Sequence, residues 1–198
     1  MPNVLKLGFT PFVRIRGVLV TFCGENLKFG PATKKALAPA EQLVRRAAAA
    51  DRFTGKSGST LDIVAPAGLD LPRLVVIGVG KESELTSQGI VKLGGVATGK
   101  IPAAAAEATI MAEFGAGALK PDQVADLALG VRLRAYSFDR YKTKRKEGDD
   151  RAEKVEVHLA CAHPAAAEKA WAEAVGIADG VVLARDLVNE PANVLYPI

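Results

Sequence analysis

The spacing of apolar and polar positions changes several times along the chain, and each change marks an element. Val4 to Phe9 and Gly17 to Cys23 are short, rich in β-branched and aromatic residues and separated by Pro11 and Gly17, so both predict strands. From Pro31 to Asp51 the pattern shifts to Leu37, Leu43, Val44 and the alanines from Ala47 to Ala50, which favour a helix with Pro39 as a break or first turn within it. Phe53 to Gly58 reads as a turn-rich loop and Thr60 to Ala65 as the next strand. Arg73 to Lys81 is a continuous apolar run that ends in glycines, and a run apolar on both faces predicts a strand buried on both sides at the centre of an α/β sheet.

Thr86 or Ser87 caps a helix that runs to about Lys100, and Ala103 to Met111 is a strand or a short apolar piece. Pro121 to Phe138 predicts a helix, with Pro121 in the first turn and Asp122 near the positive end of the dipole. Lys154 to Ala160 alternates Val155, Val157 and Leu159 with polar neighbours, the period of a strand with one wet face. Pro164 to Val188 is the longest helical pattern and stops at Asn189-Glu190-Pro191. Strands alternating with helices imply a three-layer α/β/α domain, and the sheet is expected to be mixed because the first two strands are close enough in sequence to pair as neighbours.

Composition narrows the class. The 198 residues suffice for one main core, and 49% hydrophobic with 24% charged residues is the balance of a folded chain. No run approaches the roughly 18 apolar residues of a membrane helix, since Arg14, Arg16, Thr21 and Glu25 interrupt the most apolar early stretch. The amino terminus lacks the ordered parts of a signal peptide, so a cytoplasmic location is expected, where Cys23 and Cys161 read as buried small hydrophobes.

Candidate chemistry is sparse. The net charge of +4 gathers between Arg132 and Lys154, where Arg140, Lys142, Lys144, Arg145 and Lys146 are candidate nucleic-acid contacts. Glu147, Asp149, Asp150 and Glu153 follow at once, and a solvated loop is the favoured reading. Gly78, Gly80 and Lys81 lie where a central strand turns towards a helix and are candidates for a phosphate loop. The third glycine of the dinucleotide fingerprint falls on Ser83, however, so a tight turn is preferred. His158 and His163 have no partners at metal-ligand spacing, and no serine sits in a nucleophile elbow. No catalytic and no metal-binding residue is assigned.

Two segments carry a resemblance. Ala184-Arg-Asp-Leu-Val-Asn-Glu-Pro-Ala-Asn193 resembles the junction that leads into the catalytic domain of the leucyl aminopeptidase family, and Tyr136-Ser-Phe-Asp-Arg-Tyr-Lys-Thr-Lys144 resembles a segment late in that family's amino-terminal domain. Leu74 to Leu85 and Phe53-Thr-Gly-Lys-Ser-Gly58 are also similar, so the likeness covers nearly the whole chain and is weakest before Gly17. The resemblance implies a macro-domain-like α/β domain over residues 1–162, a linker helix over 163–189 and the start of a catalytic domain at 190–198. It further implies a hexameric exopeptidase that releases amino-terminal residues from peptides with two divalent metals, manganese or zinc. The family's metal ligands and catalytic residues lie beyond the Glu-Pro-Ala-Asn junction, so this chain is expected to bind no cofactor and to act as a scaffold or aid oligomerisation. Its expected partners are its own catalytic domain and its homo-oligomer, with no membrane. Two alternatives stay open: an ADP-ribose or nucleotide-binding macro-like module, tested by titration with ADP-ribose, and a DNA-binding regulatory domain, tested by the salt dependence of binding.

Overall fold

The apolar run after Arg73 becomes a strand in which every residue from Leu74 to Gly80 is buried, and Val18–Gly24 is likewise buried throughout. Both faces of this strand pair must therefore be covered. The computed structural model describes residues 4–141, 152 and 154–194. Its strands are β1 Val4–Pro11, β2 Val18–Gly24, β3 Thr60–Val64, β4 Arg73–Gly80, β5 Glu107–Met111, β6 Glu113–Phe114, β7 Gly117–Ala118 and β8 Lys154–Cys161. Its α-helices are α1 Pro31–Leu37, α2 Glu41–Ala50, α3 Ser87–Lys100, α4 Pro121–Arg134 and α5 Pro164–Asn189.

The main sheet has the order β1-β8-β5-β2-β4-β3, and β6 with β7 forms a small separate hairpin. The sheet is mixed, but not through its first two strands. β1 pairs in parallel with β8, β2 lies in parallel between β5 and β4, and β3 alone runs antiparallel, against β4. Because β1 and β2 both run parallel to the strands between them, residues 12–17 return along the sheet instead of making a hairpin. Phe12 and Ile15 pack against the core on the way, and the Arg16 backbone N–H and C=O bracket the Thr109 hydroxyl at 2.9 and 2.8 Å. No short-range pattern announces such a strap.

Helices α3, α4 and α5 cover one face over Phe22, Val75, Ile77, Ile110 and Leu159, while α1 and α2 cover the other over Leu19, Leu74, Val76 and Met111. Pro39 breaks the first helical segment as its ring requires, leaving a 3₁₀ turn at Ala38–Ala40 between α1 and α2. The Thr86 side chain caps α3 by accepting from the Gly89 N–H. Only Glu107–Met111 of the alanine-rich piece pairs as a strand, since Ala105 N–H turns back to the Pro102 carbonyl. Helix α4 stops at Arg134, four residues short of the expected Phe138, because the chain leaves it to reach α5.

Contact between α3 and α4 is set by two glycines. A Cβ at Gly94 would lie 2.1 Å from the Leu127 carbonyl oxygen, and one at Gly130 would lie 1.9 Å from that of Val91. The helices thus meet backbone to backbone, and a methyl group has no room. Gly130→Ala is expected to lower stability by about 2–3 kcal/mol, read as a lower urea midpoint at unchanged slope.

Candidate functional site

Ligands of open α/β sheets bind outside the carboxyl ends of the strands, and here the chain itself occupies that place at the end of β4. Residues 55–59 lie over the end of β4: Gly78 N–H donates to the Ser59 carbonyl at 2.8 Å, Gly80 N–H to the Gly55 carbonyl at 3.0 Å, and Gly58 N–H to the Gly78 carbonyl at 3.0 Å. A Cβ at Gly78 would stand 2.2 Å from the Lys56 carbonyl oxygen, and Gly80 has φ +70°, so glycine is required at both positions by approach and by turn geometry. Lys81 points to Glu84, 3.3 Å away on the surface. The structure therefore brings Gly78 and Gly80 together under a loop and leaves Lys81 outside it.

Two carboxylates complete the closure, and neither stood out in the sequence. Glu113 is 2% exposed and accepts from the Ala32 and Thr33 N–H groups at 3.1 and 2.7 Å, so its charge meets the first turn of α1. Glu82 accepts from the Ala116 N–H at 2.8 Å and lies against Gly24 and Gly115. A single acid between Ala112 and Phe114 was the available signal for Glu113, since a charge amid buried apolar neighbours needs a partner. Beside this region the Cys23 thiol is pushed up to about 12, by burial first and by the nearby Glu82 charge second.

The two motifs that carry the family resemblance meet at the far end of α5. Tyr136 Oη donates to Asp186 Oδ1 at 2.8 Å and accepts from Asn189 Nδ2 at 3.3 Å. The Arg185 guanidinium lies 5.5 Å from the centre of the Tyr136 ring and donates to the Leu133 carbonyl at 2.8 Å. Arg140 and Tyr141 both donate to the Glu190 carboxylate, whose side chain is 7% exposed. Both phenols are raised above their ordinary range, Tyr136 chiefly by desolvation and Tyr141 chiefly by its hydrogen bond to Glu190, so each keeps its proton at neutral pH. This clasp fixes the direction in which the chain leaves α5.

Arg140 is thus committed to an acid within the chain, as Arg132 is to Asp179 at 3.7 Å and Lys154 to Glu156 at 3.1 Å. Lys142, Lys144, Arg145 and Lys146 lie outside the described residues. His158 Nε2 sits 3.2 Å from Glu107 Oε1 on the half-exposed side of β8. Among the described residues, no three His, Cys, Asp or Glu side chains gather as metal ligands, and no helix is long and apolar enough to cross a membrane.

The family model of the cytosol aminopeptidase family, amino-terminal domain, matches residues 18–145. The chain belongs to this family, as its amino-terminal domain. Probable cytosol aminopeptidases of Nitrobacter winogradskyi and Rhodopseudomonas palustris are 54% and 50% identical to it over 198 residues, and in both the match takes in all of this chain and 40% of the relative. Among solved structures, a tomato leucine aminopeptidase variant superposes with a TM-score of 0.75 at 21% identity, over 100% of this chain and 40% of that one. A bottromycin maturation enzyme superposes with a TM-score of 0.64 at 20% identity, over 91% and 34%. Both share the fold of this chain, the first of them as a leucine aminopeptidase, and the clasp residues fall in the two segments that the sequence singled out.

Tyr136→Phe is expected to lower stability by about 1 kcal/mol and to speed amide exchange in the last turn of α5, measured by urea unfolding and hydrogen exchange. Cys23 gives a pH prediction. Its folded value of about 12 lies above the ordinary 9.0, so its stabilising contribution is complete below pH 9.0 and is lost as the pH rises towards 12. The stability of the parent relative to Cys23→Ala should therefore shrink across that window in unfolding curves taken at stepped pH.

Proposed function

We propose that the chain is the non-catalytic amino-terminal part of a longer aminopeptidase and serves it by holding the connecting helix and the chain that follows in a fixed direction. The observation that carries this reading is that all 198 residues align with probable cytosol aminopeptidases of which they make up 40%. The clasp on Asp186, Asn189 and Glu190 supports it, because a helix anchored at its exit transmits orientation to whatever it leads into.

The whole protein, in this reading, releases amino-terminal residues from peptides in the cytoplasm, as a hexamer and with two divalent metals, manganese or zinc. Metal ions in such sites polarise the scissile carbonyl and lower the pKa of the attacking water. The described side chains of this chain do not fit that role, since Glu82 and Glu113 accept from backbone N–H groups and no ligand cluster forms. No step of the hydrolysis is assigned to residues 1–198. Kinship with macro domains is part of the same reading, supported by helices on both faces of one mixed sheet. A nucleotide-binding role gains little from the end of β4, where the Gly78 and Gly80 N–H groups are bonded to the Ser59 and Gly55 carbonyls.

An assay with leucine amide and Mn²⁺ or Zn²⁺ tests the proposal. The 198-residue chain is expected to be inert, and the same chain joined to the remaining length of the Nitrobacter relative is expected to hydrolyse the amide. Metal-dependent turnover by the 198-residue chain alone would overturn the non-catalytic reading, and an inert, folded joined chain would overturn the aminopeptidase reading.

A further inference from the structure

Helix α5 changes character halfway along its outer side. In its first half that side carries the exposed charges Glu168, Lys169 and Glu173. From Gly176 onwards it carries Gly176, Ile177, Gly180, Leu183, Leu187 and Val188, all exposed, with Ile177 at 61%, Leu183 at 59%, Leu187 at 47% and Val188 at 85%. At a rise of 1.5 Å per residue this stripe is about 18 Å long. The charged residues of the same half are turned to α4 instead, Asp179 to Arg132 and Arg185 to the Leu133 carbonyl. Nothing lies within 4 Å of a Cβ built on Gly176 or Gly180, so a partner can approach the backbone there.

Several large apolar side chains left together on a surface mark an interface. We infer that the outer side of α5 between Gly176 and Val188 is the docking surface for the part of the polypeptide that follows the junction in the longer relatives. Three observations select that occupant. The stripe begins only in the second half of the helix and runs towards its exit, so the partner lies where the chain leads. The relatives continue well beyond the matched stretch, which is 40% of their length, and a segment joined directly to the helix acts at high effective concentration. The clasp holds the last turn of α5 against residues 136–141, which keeps the stripe facing outwards at the point of exit.

This inference rests on the reading of the chain as the amino-terminal part of a longer protein, and the test separates the two. Cys23 and Cys161 are buried with raised thiol pKa values, so a cysteine placed on α5 is the reactive one in this part of the chain. Leu183→Cys and, as a control outside the stripe, Lys169→Cys are introduced into the 198-residue chain and into the chain joined to the remainder of the Nitrobacter relative. Alkylation is followed at each site by peptide mass spectrometry, and leucine amide hydrolysis is measured on the same joined samples. The expected result is roughly tenfold slower labelling at position 183 in the joined chain, with equal rates at position 169. Equal rates at position 183 in a joined chain that hydrolyses leucine amide would overturn the docking surface and leave the aminopeptidase reading intact. Slower labelling in a joined chain that is inert would uphold the surface and count against that reading. Labelling at position 183 that slows with rising concentration of the 198-residue chain would overturn the inference in favour of a second copy as the occupant.

Discussion

Two adjacent strands without a wet face are the constraint from which the rest of the architecture follows. β2 is buried throughout and β4 from Leu74 to Gly80, and Leu19, Val20, Phe22, Val75, Val76 and Ile77 are wholly inaccessible. Burying each such side chain is worth roughly 1.5–3 kcal/mol, but only if both faces are roofed. Covering one face with α3 and α4 demands close approach, which Gly94 and Gly130 permit. Covering the other with α1 and α2 demands an anchor for a helix of seven residues, too short to be stable alone, and the buried Glu113 carboxylate supplies it.

The same roofing decides what the crevice can hold. In a sheet of this type the strand ends offer free N–H groups to anions, yet here those of β4 are bonded to the 55–59 loop and the neighbouring negative charges are fixed by the protein's own backbone. Chemistry is displaced from the sheet to the far end of the molecule. There the polar side chains form a mechanical joint: two phenols, two guanidiniums and two carboxylates, all within the segments 136–141 and 185–190.

Elements with a strong local signature were legible in the sequence. The unbroken run before Gly80 became the doubly buried strand, Pro39 broke its helix, and Thr86 capped the next one. Strand order was not legible, since nothing between Phe12 and Gly17 states that the segment returns along the sheet and lets β8 and β5 stand between β1 and β2. The end of α4 was misplaced for a related reason: Tyr136 has a better partner in Asp186, fifty residues away, than a further helical turn would give it. Both motifs at the exit were visible as motifs, whereas their contact is a tertiary fact that spacing does not encode. Glu113 shows the same gap, because the N–H groups that justify its burial belong to residues eighty positions earlier.

The edges of the sheet carry one more consequence. β3 is five residues long, carries the exposed Asp62 with Arg73 of β4 bound to it at 2.8 Å, and is followed at once by Ala65 with φ +46°. At the opposite border β1 carries the Lys6–Glu156 pair and terminates in Pro11, which has no N–H to donate. A short, charged border on one side and a charged, proline-ended one on the other resist recruitment of a foreign strand. A domain that shows an apolar stripe along α5 thus keeps its sheet borders poor templates for fibril growth, so association through that helix need not bring strand addition with it.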